Sequence, residues 1–542
     1  MILLAGALAL AVPQVALAGD SEDFAGCDGM RKPKRDEDGM RGMANQTDYG
    51  RLRISHEGAP ARVIAYCTGV LQGDRIRDHQ SLRRAHVLRA RAAAYIQTGA
   101  PAHALGDIAE ARLNVADRSD DPFFQRSMGL SLDLLEAVAL AQSGDAERAG
   151  EIARAAKAER PYALQVQLVA NQLENFAEVE YGPSHGLMKI HPSVRQQSIT
   201  SLVARGEFAA AIAQGEEEGL FAAPPTAEGE AALAALLGEG GGERALLNFV
   251  SDIVTRAHLA YALAATGELD RAQSLVEQLR AMQDPGSGNA AVANVMAVLL
   301  KSEPMNNPIA LAEARLAIAT GDASRAAALM AASNFGESAM TRDLQAAFSE
   351  LEPSQENAAD TQIAAPELRV SSPDMQRSTD HLRRLAYPLL FPPETVRSVI
   401  DYERSRPNIL GAVVGGVLTM GTSLLGGIDR LAGFRSTANE DGTITVEFAG
   451  DTISGPMVQE MTLLRAAELA SEAEMPYFEI VQRQDSMRYM VQTQYGVEIN
   501  RVPTGFKTVL VVRFHEDAEA SDFLLNAVGV IDSLGPLYYE EA

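Results

Sequence analysis

The stretch that decides the fold is SLDLLEAVALAQSGDAERAGEIARAAKAERP, residues 131–161. Apolar side chains recur at three- and four-residue intervals on both sides of Gly144, with charged side chains between them. This spacing predicts two amphipathic helices. Gly144 can adopt the left-handed conformation that ends a helix, and Pro161 closes the second helix. The stretch is therefore expected to form a helical hairpin.

The same turn recurs between residues 60 and 351, each time with an alanine five residues after a glycine. The pairs are Gly99/Ala104, Gly144/Ala149, Gly206/Ala211, Gly267/Ala272 and Gly321/Ala326. Two antiparallel helices approach within about 8–10 Å only if their contact positions carry small side chains. Further small residues at such positions are Ala92, Ala137 and Ala156. The recurrence predicts a repeated helical hairpin across this region.

These residues resemble tetratricopeptide repeats, whose hairpins have small residues at the helix crossing and a closing proline. The resemblance implies a mainly α fold that presents a binding surface. Residues 131–161 form the most complete copy. The turn glycines are 45 to 62 residues apart, whereas the family period is about 34. We therefore expect a degenerate helical-hairpin solenoid over 60–351.

The N-terminal region indicates export. Residues 1–18 are apolar, uncharged and end in an A-x-A pattern, which is typical of a signal peptide. A charged arm follows over 19–59. In an exported chain the two cysteines, Cys27 and Cys67, favour one disulfide, with two free buried thiols as the alternative. We expect the protein in the periplasm or elsewhere in a bacterial cell envelope.

Composition excludes some partners. The net charge is -25 at pH 7, and the sequence pI is about 4.8. Nucleic-acid binding depends on Lys and Arg neutralising phosphates, so no nucleic-acid partner is expected. The chain has no H-E-x-x-H helix. We predict no catalytic, cofactor-binding or metal-binding residue.

The last part of the chain changes character. Residues 352–378 are polar and rich in proline, as in a linker. Residues 379–542 predict a small α+β domain. Its expected strands are 443–448, 477–482 and 508–514, and its expected helices are 457–473 and 520–534. Residues 443–450, 464–469, 477–478 and 534–536 resemble small bacterial cell-envelope lipoproteins of unknown function. That resemblance implies an envelope location and transfers no catalytic residue.

The glycine-rich apolar segment 407–428 is uncharged and long enough to cross a membrane. Its six glycines weaken a helix by up to about 1 kcal/mol each. Three interpretations stay open: a segment packed on the α+β domain, a contact with the membrane surface or a partner, and a true span.

Charged residues on the helix predicted at 457–473 offer a candidate polar site. Arg465 and Glu468 lie one turn apart, and Glu460 lies on the same helix. We expect a solvated ion pair, and a polar functional site is the alternative.

The sequence thus predicts a non-enzymatic scaffold that binds an envelope protein or peptide through its helical hairpins. One alternative is an enzyme with its site in the α+β domain. The other is a membrane-attached envelope assembly factor that uses 407–428.

Overall fold

The computed structural model describes residues 20–30, 32–35, 40, 60–72, 74–177, 182–222, 243–282, 301–333, 335, 339–351, 382–386, 389–391, 394, 433–450, 454–494 and 497–539. The predicted signal peptide, the linker and the segment 407–428 lie outside these residues, as does much of the charged arm.

The described chain is mainly helical, with one small antiparallel sheet near its C-terminus. The first helices in chain order are α1 (Asp20–Asp28), α2 (Pro60–Leu71), α3 (Ser81–Gln97), α4 (Pro101–Asn114), α5 (Leu130–Gln142), α6 (Ala146–Glu159), α7 (Leu164–Ala177) and α8 (His185–Ile190). They are followed by α9 (Arg195–Ala204), α10 (Phe208–Glu217), α11 (Glu243–Thr266), α12 (Leu269–Ala281), α13 (Glu303–Ala319), α14 (Ala323–Ala332) and α15 (Ala339–Leu351). The C-terminal elements are β1 (Gly433–Ala438), β2 (Ile444–Gly450), α16 (Gly455–Glu472), β3 (Tyr477–Gln494), β4 (Val497–His515), β5 (Leu525–Asn526) and α17 (Ala527–Tyr538).

The five turn glycines join α3 to α4, α5 to α6, α9 to α10, α11 to α12 and α13 to α14. Each has φ between 74° and 91°, the left-handed region in which glycine has no Cβ penalty. Two turns also carry an N-cap, because Asp145 and Asp322 accept hydrogen bonds from the backbone N–H three residues later. Each turn therefore ends one helix and begins the next within a few residues.

The helices pack in two runs: the first helical run is α2–α7 and the second is α9–α15. Within each run, the helix that follows a hairpin contacts both helices of that hairpin. In this way α5 packs on α3 and α4, α7 on α5 and α6, α11 on α9 and α10, α13 on α11 and α12, and α15 on α13 and α14. Successive hairpins are therefore in direct contact within each run.

A repeated ion pair links one hairpin to the next. Arg112, Lys157 and Arg280 each lie thirteen residues after a turn glycine, in or near the last turn of the second helix. Each contacts an acidic side chain on the following helix: the pairs are Arg112 with Asp133 and Glu136, Lys157 with Glu174, and Arg280 with Glu313. Cations near a helix C-terminus are also favoured by the helix dipole.

The sheet order is β1-β2-β4-β3-β5, and all neighbouring strands are antiparallel. β3 and β4 are longer than the sequence predicted, and β1 was not predicted. The last helix also differs from the expected 520–534. It begins after Asn526, whose side chain caps Gly529 N–H, and it continues through Pro536 to Tyr538. Pro536 lies in the last turn, where few backbone hydrogen bonds depend on it.

Separate hydrophobic cores underlie the two helical runs and the sheet. The core of the sheet also contains Leu164, the first residue of α7, together with Leu187, Ile190 and Val194 from the region between the two runs. The α+β unit therefore packs where the first run gives way to the second. Residues 382–391, which we predicted as part of the α+β domain, contribute their buried leucines and Phe391 to the core of the first run instead.

Candidate functional site: a buried two-arginine junction

The alanines predicted to pack the repeats lie in the interior of the hairpins, whereas the five turn glycines are exposed at the turns. These alanines are all 2% exposed or less: Ala92, Ala104, Ala137, Ala149, Ala156, Ala211, Ala272 and Ala326. Pro161 follows α6, at the turn into α7. Cys27 and Cys67 form a disulfide that joins α1 to α2. These residues therefore hold helices together.

The strongest concentration of buried charge lies elsewhere, beside a widened turn before α5. Gln125–Gly129 forms a π-helical turn, a feature that is frequent at functional sites. Arg126 and Ser127 lie in this turn and are both buried. The turn directs two consecutive polar side chains to one place, which a regular helix does not do for adjacent residues.

Two arginines and two glutamates meet at this turn, and we call this cluster the junction. Arg126 Nε is 2.9 Å from a carboxylate oxygen of Glu394, and Arg126 also contacts Glu460. Arg160, just after α6, donates to Glu460 at 2.8 Å and to Glu394 at 2.9 Å. All four side chains are at most 8% exposed. Their charges sum to zero, as a buried charged cluster requires.

Hydroxyl and backbone groups complete the junction. Tyr538, at the end of α17, donates its hydroxyl proton to Glu460 at 2.6 Å. Ser454 donates to Glu394 at 3.1 Å, and the backbone N–H of Glu394 donates to Ser127 Oγ at 2.9 Å. Arg160 also donates to the backbone carbonyl of Arg126 at 2.6 Å. The junction thus joins the first helical run, the segment around residue 394 and the α+β unit.

The electrostatics of the junction keep Glu460 charged. Burial raises the pKa of Glu460, but attraction by Arg126 and Arg160 outweighs this and lowers it to about 2. Burial lowers the pKa of Arg126, but the neighbouring Glu460 and the other acidic groups raise it on balance. Burial also raises the pKa of the Tyr538 hydroxyl well above its usual value. Near neutral pH, Glu460 and Arg126 are therefore charged and the Tyr538 hydroxyl is neutral.

The segment that supplies Glu394 lies on the first helical run, and we call residues 382–394 the strap. Its described apolar side chains, Leu382, Leu385, Ala386, Leu389, Leu390 and Phe391, are all buried. Ser131, in the first turn of α5, donates to the backbone carbonyl of Leu389. Arg383 lies beside the Gly99 turn, where an added Cβ would be 2.8 Å from its guanidinium. The strap therefore extends from the turn between α3 and α4 to the junction.

The predicted solvated ion pair on α16 is wrong. Glu460, Arg465 and Glu468 are at most 7% exposed, because one face of α16 lies against the junction and another against α17. Arg465 contacts Glu468 at 2.9 Å and also Glu472. Glu460 alone belongs to the junction. The sequence pattern gave the helix correctly but not its burial on several faces.

A second buried polar cluster fixes α1 to α3. Asp28 contacts Arg83 at 2.8 Å, and the His86 ring lies 3.6 Å from Asp28. Burial lowers the pKa of His86 well below its usual value, and the charges of Arg89 and Arg83 lower it further. Since the Cys27–Cys67 disulfide lies next to Asp28, this cluster and the disulfide hold α1 against the first helical run.

A small cavity of about 200 Å³ lies between α7, α8 and α9. Its lining is mixed, with Leu168 and Leu187 beside the amide groups of Asn171 and Gln197. Asn171 is held in place because it accepts from Ser184 N–H and donates to the Gly182 carbonyl. His185 begins α8, and His191 follows its last residue.

In the described part of the chain, no group of three or more His, Cys, Asp or Glu side chains is placed to hold a metal ion. No helix among the described residues is both long and apolar enough to cross a membrane. Compared with protein families, curated proteins and solved structures, the chain matches none. The features of the molecule that bear on its function are therefore the junction, the strap and the exposed faces of the helices.

Sequence reasoning missed Arg126, Arg160 and Glu394. Their contacts join residues 234 to 334 positions apart in the chain, and no local pattern encodes such pairs. The sequence contains one weak indication, because Arg160 lies between two apolar residues, Ala156 and Ala163, both of which are buried. This pattern indicates that Arg160 is buried but does not indicate which residue pairs with it.

Proposed function

We propose that this chain is an exported scaffold that binds another protein or peptide of the cell envelope through its helical hairpins, with no chemistry of its own. The finer arrangement that we propose is a degenerate, tetratricopeptide-like solenoid in two runs. One observation carries the proposal: the helix that follows each glycine-turn hairpin packs on both helices of that hairpin. Proteins that stack repeats in this way offer extended surfaces for binding.

The outward faces of the second helices support this function. In α6 the exposed residues include Glu147, Glu151 and Arg154, and in α12 they include Gln273 and Glu277. Each of these helices buries one face against its neighbours and presents the other to solvent. A disulfide is also compatible with an oxidising compartment outside the cytoplasm.

The test is site-specific photo-crosslinking of the full chain in cells that produce it naturally. A photoreactive residue is placed at Arg154 on α6 or at Gln273 on α12, one in each helical run. The control position is Gln484, an exposed residue on β3 of the sheet. We expect adducts of discrete mass from at least one helical position and none from the control.

The opposite result would overturn the proposal. If Gln484 gives a discrete adduct while Arg154 and Gln273 give none, then binding occurs through the sheet and not through the hairpins. Hydrolysis of a generic substrate panel by the purified mature chain would contradict the absence of chemistry.

A further inference from the structure

The strap is held on the first helical run in the way that a peptide ligand is held by a receptor. Its backbone is fixed at two points, since the Leu389 carbonyl accepts from Ser131 and the Glu394 N–H donates to Ser127. Its apolar side chains are buried in the core of the run. Its carboxylate is bound by both arginines of the junction. These are the three elements of peptide recognition: backbone contacts, apolar pockets and a charged anchor.

The strap is also far along the chain from the described helix before it and the described strand after it. Residues 352–381 separate it from α15, and residues 395–432 separate it from β1. Because the strap is part of the same chain as the groove, its binding to the groove is intramolecular. A separate peptide of the same chemistry can compete with it when its product of affinity and concentration exceeds that of the tethered copy.

We propose that the groove under the strap is the peptide-binding site of the scaffold and that the strap occupies it in cis as an internal competitor. This inference rests on the proposed function and names its partner class. The partner is a segment of another protein with a basic start, an apolar middle and a carboxylate at its end. The strap itself, LRRLAYPLLFPPE, gives this pattern.

The junction explains why the partner must carry a carboxylate. When the strap leaves, Arg126 and Arg160 keep Glu460 but lose Glu394. The pocket then has two guanidiniums and one carboxylate, so it has an uncompensated positive charge. Arginine pairs bind carboxylates with charge-assisted and often bidentate hydrogen bonds, whereas an amide in the same position cannot neutralise the charge. The pocket therefore selects an acidic residue at the position of Glu394.

The first experiment weakens the strap in cis and measures binding in trans. The probe is a fluorescent peptide with the sequence of residues 382–394, and the receptor is the mature full chain, residues 19–542. With Glu394→Gln in the chain, we expect the apparent affinity for the probe by anisotropy to rise about tenfold or more, as expected from the loss of one charged contact in cis. The matched control is Glu151→Gln, an exposed carboxylate on α6, which should leave the affinity at the wild-type value.

The probe itself provides a second comparison. A peptide with Gln in place of its final Glu should bind the Glu394→Gln chain about tenfold more weakly than the original peptide. A second strap variant, Phe391→Ala, provides the same test if Glu394→Gln does not fold. Circular dichroism measures whether both variants are folded. If both variants fold and neither binds the probe better than wild type, the proposal is overturned.

Exchange of the strap between copies is the competing outcome. Two populations of the Glu394→Gln chain with different labels are mixed and separated by size. A mixed dimer that the peptide dissociates would make the occupant a second copy and overturn the partner class. Failure of the peptide tests while crosslinks at Arg154 or Gln273 persist would remove this inference and leave the proposed function in place.

Discussion

The hairpin turns and the junction are stabilised in opposite ways. Each turn depends on one glycine with positive φ and on residues within a few positions of it. The junction depends on residues from four distant parts of the chain, all buried and charged or polar. The turns repeat, so the loss of one leaves the others. The junction occurs once among the described residues, and each of its charges needs the rest. Four predictions test this difference, beginning with the largest expected effect.

Replacing Glu460 with Ala should destabilise the protein most. The change leaves Arg126 and Arg160 buried with only Glu394 to balance them, and breaking a buried pair costs about 3–5 kcal/mol. Urea unfolding measures the loss. The exposed carboxylate Glu151 serves as the control, and its replacement with Ala should leave the unfolding midpoint almost unchanged. A loss under about 1 kcal/mol for Glu460→Ala would mean that the junction contributes little.

Lowering the pH should reduce the contribution of the junction to the free energy of unfolding. The pKa of Glu460 is about 2 in the folded chain, below its ordinary value of 4.5. Its contribution to stability is therefore complete above pH 4.5 and is lost as the pH falls from 4.5 towards 2. The effect is smaller than that of Glu460→Ala, because a protonated carboxyl keeps its volume and some hydrogen bonds. The measurement compares wild type with Glu460→Gln across this range, and their difference in unfolding free energy should shrink. A difference that does not depend on pH would contradict the lowered pKa.

Replacing Gly144 with Ala should cost about 1–2 kcal/mol. Its φ is 91°, but an added Cβ would meet no atom within 4 Å, so the cost comes from the backbone alone. Gly106 within α4 is the matched control, because a Cβ there also meets nothing and its φ is not positive. Gly106→Ala should stabilise the helix by about 0.5–1 kcal/mol. Thermal unfolding of both variants should therefore shift in opposite directions, and equal shifts would refute the role of the turn.

Replacing Arg280 with Gln should have the smallest effect. Arg280 makes two hydrogen bonds to Glu313 between neighbouring hairpins, at 2.8 and 3.0 Å, but its side chain is 31% exposed. Solvent screening limits such a pair to about 0.2–1 kcal/mol. A double-mutant cycle with Glu313→Gln isolates the pair. A coupling energy well above this range would show that the pairs between hairpins fix the stacking more strongly than the turns do.

Much of the helical architecture could be predicted from the sequence because its determinants are local. Gly99, Gly206 and Gly321 predict turns, and the helical periodicity on both sides of each glycine predicts the hairpins. The length of β3 and β4 was less predictable, since their outer parts lack a simple alternation of apolar and polar residues. The predicted end of the last helix at residue 534 is wrong. Gly535-Pro536 is typical of a helix end, but α17 continues for one more turn to Tyr538, whose side chain is buried.

The junction could not be predicted for a physical reason. From its local sequence, a charged residue such as Arg160 or Glu394 is predicted to be exposed to solvent. It can be buried only when opposite charges from distant parts of the chain lie beside it in the fold. The same holds for the strap. Its apolar residues predict burial, but nothing in the sequence says that α3 and α5 provide the groove.

The junction also sets an order in time. Arg126 is made 412 residues before Tyr538, the partner that completes its surroundings. Hairpins with local contacts form early during synthesis, and contacts between distant residues form late. The two arginines therefore gain their charge partners only after Glu394 and Glu460 have been made, and the hydroxyl of Tyr538 is added later still. A chain that stops before residue 394 lacks both carboxylates of the junction, so its two guanidiniums have no counter-charge from this cluster.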